Sequence, residues 1–205
     1  MPPRQEFDDS FDIVRVTWNL TAGDVLAAYA RGEFPMGGHN VITWHRPRTR
    51  AILPLNGFHV SRSLARVLRQ GKFTVTVNRD FEGVMRGCAS REETWIDDRV
   101  LRTYGELHRA GRAHSLEVWI DGALAGGVYG VQIGGAFFAE SKFHRVRDMS
   151  KVALAHLAFH LRDRGFSLLE VQYLTPHLAR FGAIEISGRE YAAMLKRAVK
   201  AEARI

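Results

Sequence analysis

Cysteine is almost missing from this chain: Cys88 stands alone among 205 residues. That excludes an internal disulfide and any zinc cluster built from cysteines. No apolar run approaches the roughly 18 residues that a membrane-spanning helix needs. The opening MPPRQEFDDSFDIVRV lacks the apolar middle of a signal peptide. Together these absences predict a protein of the reducing cytoplasm. There is no G-x-x-x-x-G-K-[ST] phosphate loop and no dinucleotide fingerprint. His156 and His160 have metal-ligand spacing on one helix, but no H-E-x-x-H accompanies them. They read as packed or surface histidines, and no metal is expected. Cys88, in GCAS, has no neighbouring base and reads as a small packed residue.

Positive charge is what the chain has in excess. Lys and Arg number 29 against 22 Asp and Glu, a formal charge of +7. Arginine's planar fork suits bidentate phosphate contacts, and a basic surface attracts polyanions such as RNA. The cations are partly ordered along the chain. Ser61 caps a predicted helix over 59–71, and Arg62, Arg66 and Arg69 fall on one stripe of it. Like charges stacked on a helical face repel unless an anion lies across them.

Periodicity gives a mixed α/β chain. Thr21 and Asp24 open a helix that ends near Gly32, and the Gly- and Pro-punctuated segment after it ends in a short strand at 51–53. This predicts a small N-terminal domain over 1–57 and a larger one over 58–205. In the second, Phe73–Val77 alternates as a strand, and helices are expected over 79–89 and 97–110. Ala113–Ile120 and Ala123–Val131 flank Asp121-Gly122, a hairpin signal. Gly134-Gly135 turns the chain into a strand at 136–140, a helix follows over 150–164, and Ser167–Leu174 reads as a buried strand. The last segment, 187–203, is helical and basic. Three antiparallel strands, a helix and a returning strand are the order of a GNAT-like mixed-sheet domain, an analogy of fold that proves no activity.

Within that frame the chemistry gathers around Glu140, Glu170 and Gln172. On a continuous strand, side chains two residues apart share a face, so Glu170 and Gln172 are expected to point together. Buried without partners each would cost about 1–3 kcal/mol, so they either pair or face a cavity. Acetyl-CoA chemistry would want a glycine-bearing turn at the start of the helix at 150, to present backbone N–H groups to the pyrophosphate. The turn reads SKFHRVRDMSK, without glycine and with Asp148 in the anion's place. Aromatics beside arginines, such as Trp44 and Trp95, are the means by which single-stranded RNA ends are held.

The motifs YARGEFP, FHVSRSL, GCASREETWI, GRAHSLEVW, LAGGVYGV, FFAESKF, SKVALAHL and VQYLTPHLARFGAIEISGREY occur in one order from about Leu26 to Met194. In this the chain resembles the leucyl/phenylalanyl-tRNA–protein transferase family. The resemblance implies a small N-terminal α/β domain followed by a GNAT-like domain. It implies transfer of Leu or Phe from aminoacyl-tRNA to proteins beginning with Arg or Lys, marking them for N-degron degradation, without metal or CoA. Glu140 falls in the family's GES turn, and Glu170 and Gln172 in its DCQ. Val128, Phe137, Leu154, Leu161 and Leu169 match positions lining the pocket for the transferred side chain. Trp95 and Met36 match the adenosine end, and Arg62, Arg66 and Arg69 the helix that meets the acceptor stem. The chain departs from the pattern at Met36 (FPM for FPW), Glu170 (for Asp) and Lys142 (SKF for SMF). Two other readings stay open at this point: a non-catalytic RNA- or peptide-binding relative, and another GNAT-type acyltransferase.

Overall fold

A computed structural model describes residues 12–38 and 40–205; most of the opening stretch MPPRQEFDDSFDIVRV lies outside them. Two sheets form. The smaller has the order β1-β3-β2, from β1 (Ile13–Thr17), β2 (Phe34–Gly38) and β3 (Val41–His45). Helix α1 (Ala22–Ala30) packs beside it, with the Thr21 side chain accepting from the Asp24 N–H. The hairpin β2–β3 was not expected, since Pro35 and Gly37-Gly38 make its first strand read as loop.

The larger sheet has seven strands in the order β10-β4-β9-β8-β7-β6-β5. Strand β4 (Thr49–Ile52) already belongs to it, ahead of the boundary read at residue 57. Helix α2 (Arg62–Gln70) follows a short 3-10 turn, with Ser61 capping its start and Gly71, at φ 61°, its end. Next come β5 (Thr74–Val77), α3 (Phe81–Ala89) and α4 (Asp98–Arg109). The meander β6 (Ala113–Ile120), β7 (Ala123–Ile133) and β8 (Ala136–His144) is antiparallel throughout. Asp121 and Gly122, at φ 49° and 77°, make its first turn as the sequence pattern requires.

The crossover helix α5 (Met149–Asp163) brings the chain back as β9 (Leu168–Glu170), parallel to β8. This is the GNAT-like order read from the sequence. Helix α6 (Pro176–Ala179), strand β10 (Ile184–Ser187) and helix α7 (Gly188–Ala198) complete the chain. Ser187 and Glu190 form a capping box at the start of α7.

Alternation along the large sheet divides the interior into two cores. Val128, Phe137 and Leu169 face α5, packing with Val152, Leu154, Leu157 and Leu161. Tyr129, Phe138 and Leu168 face the other way, into a core shared by α1, α3, α4 and the small sheet. Each fully buried Leu or Phe contributes about 1.5–3 kcal/mol relative to exposure. The small sheet therefore shares its core with one face of the large one.

Candidate active site

Strand β8 departs from regular pairing at one place. Tyr129 pairs with Ser141 and Gly130 with Ala139, so Glu140 is the extra residue of a β-bulge. A bulge re-aims the side chain it carries, and here Glu140 turns towards Tyr29 of α1, whose hydroxyl donates to Oε1. The Tyr29 hydroxyl lies 3.5 Å from that of Tyr104. Gly130 makes room for this arrangement, since a Cβ there would sit 2.2 Å from the Phe138 carbonyl oxygen. Burial raises the Glu140 pKa to about 8, the Tyr29 bond opposes the rise, and the charge of Glu170 adds to it.

Glu170 and Gln172 do not share a face as the sequence pattern predicts. Strand β9 stops at Glu170, and the chain turns at Gln172, whose φ of 58° is left-handed. The turn is held from both sides. The Gln172 carbonyl accepts from the Ala51 N–H at 2.9 Å, and the Gln172 N–H donates to Glu170 Oε1 at 2.8 Å. Glu170 thus orients the backbone of Gln172, not its amide. The same oxygen accepts from Arg50 Nη2 at 2.7 Å and Nε at 3.2 Å, an ion pair with neither residue more than 1% exposed.

Sequence reading missed Arg50. It stands in an apolar strand, donates also to the Gly32 carbonyl, and lies 4.3 Å above the Tyr191 ring. Burial works against its charge, yet Glu170 holds its pKa above the ordinary value. A lone arginine in TRAI was the available signal. Tyr29 and Tyr104 were missed likewise, since a tyrosine in a helix reads as packing until its hydroxyl's partner is known.

Beside these groups is a cavity of about 210 Å³. Glu140 and Gln172 line it together with Met36 from β2 and Trp95 from the segment before α4, while Val171 and Leu178 supply apolar wall. Met36 and Trp95 are brought close by Gly37, where a Cβ would lie 2.6 Å from the Trp95 carbonyl oxygen. Glu170 stands behind the cavity, within hydrogen-bond reach of Gln172 but not on the wall. Both Glu170 Oε2 and Gln172 Nε2 are buried with no hydrogen-bond partner among the described residues.

The remaining sequence-predicted residues lie elsewhere. Val128, Phe137, Leu154, Leu161 and Leu169 are at most 2% exposed and do not line this cavity. They belong instead to the core of which Val171 and Leu178 are the cavity-facing members. Arg62, Arg66 and Arg69 are exposed on α2. Cys88 is buried, and burial pushes its thiol pKa up to about 12. His156 packs edge-on against Phe73.

A mixed sheet with a helical crossover returning as a strand parallel to β8, and a cavity at the end of that strand, is the architecture of a GNAT-like domain. Two solved structures share the fold, each at low identity. L-PGS from Bacillus licheniformis matches with a TM-score of 0.50 at 10% identity, over 90% of this chain and 72% of that one. FemX matches with a TM-score of 0.52 at 12% identity, over 69% and 60%. The sequence pattern described as leucyl/phenylalanyl-tRNA protein transferase matches residues 52–196. The leucyl/phenylalanyl-tRNA–protein transferase of Ruegeria pomeroyi is 52% identical over 182 residues, 87% of this chain and 87% of its own length. That of Rhodopseudomonas palustris is 50% identical over 188 residues, 88% of this chain and 84% of its own length. The chain belongs to the leucyl/phenylalanyl-tRNA–protein transferase family.

Proposed function

We propose that this protein transfers leucine or phenylalanine from aminoacyl-tRNA to the α-amino group of proteins that begin with Arg or Lys, marking them for N-degron degradation in the cytoplasm. Methionine is a third side chain that an apolar site admits. The observation that carries the reading is the single cavity on which Met36, Trp95, Glu140 and Gln172 open together.

In this reading Met36 and Trp95 hold the terminal adenosine, since base–aromatic stacking contributes about 1–3 kcal/mol. The transferred side chain rests on the apolar wall at Val171 and Leu178, backed by Val128, Phe137, Leu154, Leu161 and Leu169. The basic stripe of α2 meets the acceptor stem. No metal and no CoA enter the reaction: the aminoacyl ester is already activated.

Amide formation joins the acceptor's nitrogen to the ester carbonyl carbon and breaks the bond from that carbon to the ribose oxygen. One proton leaves the amine and one returns to the ribose hydroxyl. A free α-amino group has a pKa of about 7.7–8.0, which matches the Glu140 value of about 8. Matched values make proton exchange efficient near neutral pH. Glu140 in its ionised form accepts the amine's proton and returns it to the departing ribose oxygen. Glu170, committed to Arg50 and to the Gln172 N–H, positions Gln172. The amide of Gln172 orients the amine for attack, and such positioning supplies up to roughly 7–11 kcal/mol of the barrier.

The test uses labelled leucyl-tRNA and a peptide beginning with Arg. Covalent label on the peptide, abolished by prior RNase treatment, is the expected result. Binding of the RNA without transfer would overturn the reading in favour of a non-catalytic relative. Label arriving from acetyl-CoA would select another GNAT-type acyltransferase.

A further inference from the structure

The cavity has a neighbour across α6. Thr175 and Leu178 line the first, and His177 lines the second, a cleft of about 550 Å³ at the start of α5. Five cationic side chains border this cleft, Arg91, Lys142, Arg145, Arg147 and Lys151, against one carboxylate, Asp148. Lys142 lies two residues beyond Glu140 on β8. We infer that this cleft binds backbone phosphates of the single-stranded RNA nucleotides that lead to the terminal adenosine.

The inference rests on the function proposed above for the adjoining cavity, and the details of the cleft support it. Asp148 does not cap α5 with its side chain; it pairs with Lys151 at 2.7 Å. That leaves the other four cations in excess. Arg147 is 3.9 Å from Asp148 with its side chain 95% exposed, so its guanidinium is open to an incoming group. Arg91 donates to the Lys142 carbonyl and so holds a second cation beside the Lys142 ammonium. Burial lowers the Lys142 pKa and Arg91 lowers it further. An anion between the two relieves both penalties. A chain crossing from this cleft past α6 arrives at Met36 and Trp95.

The experiment measures binding of labelled, deacylated tRNA over a salt series, for wild type, Arg147→Ala and the double variant Lys142→Met, Arg147→Ala. The same tRNA lacking its unpaired 3′ nucleotides is run beside it. Each lost phosphate contact should make the slope of log K against log salt shallower by about 0.7, and the double variant should bind intact tRNA roughly tenfold more weakly at low salt. The trimmed tRNA should bind wild type and variants alike. The exposed Arg147→Ala side chain removes nothing the fold depends on, so that variant keeps the test decisive if the double one unfolds. Affinity and slope equal to wild type would overturn the inference, as would an equal loss with trimmed tRNA. Absence of leucyl transfer by wild type, with the slope change intact, would instead refute the catalytic reading and leave the phosphate site standing.

Discussion

Replacing Glu140 by Gln should stabilise the protein at neutral and alkaline pH while abolishing its chemistry. The carboxyl pKa rises from 4.5 to about 8 in the folded state, burial being the main cause. Between those values the unfolded chain carries Glu140 ionised and the folded chain carries it protonated. The folded state then binds more protons, so stability falls as pH rises through this window and levels off above it. Each pKa step corresponds to about 1.4 kcal/mol, giving an upper bound of about 5 kcal/mol. The side chain borders a cavity and is partly exposed, so water there screens much of that, leaving roughly 1–3 kcal/mol. Gln accepts the Tyr29 hydroxyl as Glu does, so the change removes the titration and keeps the bond. Thermal unfolding at several pH values from 5 to 9 measures the difference between the two proteins. The variant should gain on wild type as pH rises, reaching about 2–10 °C in Tm near pH 8 for a chain of this size. A pH-independent difference, or wild type gaining on the variant, would show that Glu140 is ionised across the range and refute its place as the titrating group.

Arg50→Met should be far more damaging than its place in a short strand suggests: it leaves the Glu170 carboxylate buried and unpaired, a loss of about 3–5 kcal/mol, read by thermal unfolding. Gln172→Gly should separate backbone from side chain. Relief of the left-handed conformation raises stability by about 1 kcal/mol, while leucyl transfer falls at least tenfold for want of the amide. Trp95→Ala should raise KM for aminoacyl-tRNA by roughly 5- to 100-fold, the equivalent of about 1–3 kcal/mol of stacking, with kcat at saturating tRNA changed much less.

Local signals carried most of the fold. Ser61 and Gly71 bracket α2 as their chemistry demands, and Asp121-Gly122 makes the hairpin turn. Alternation correctly sorts Phe137 and Phe138 to opposite cores. The segment 34–45 escaped because Pro and Gly signal loops in isolation, whereas here they sit on a three-stranded sheet whose register is set by β3. The site was legible in its membership more than its geometry. Glu140, Gln172, Met36 and Trp95 do meet, but Arg50 is 120 residues from Glu170 along the chain, and no local pattern reveals a partner at that distance. The end of β9 was likewise hidden: Leu168 to Tyr173 alternates as a strand would. Only the competing bonds from Ala51 and Glu170 turn it at Gln172.

That turn shows how two glutamates of one site acquire different surroundings. A carboxylate bonded to a buried arginine and to a backbone N–H is committed to both, and removing it would leave Arg50 alone in the core at a cost of several kcal/mol. Glu170 is therefore suited to hold shape. A carboxyl on a bulge, met by a tyrosine hydroxyl and no cation of its own, changes protonation near pH 8. Burial is the main cause of the rise in the Glu140 pKa; the charge of Glu170 adds to it, while the Tyr29 bond and the charge of Arg50 oppose it. The buried ion pair thus fixes the backbone that presents Gln172, while burial on the bulge sets the Glu140 pKa near that of an α-amino group.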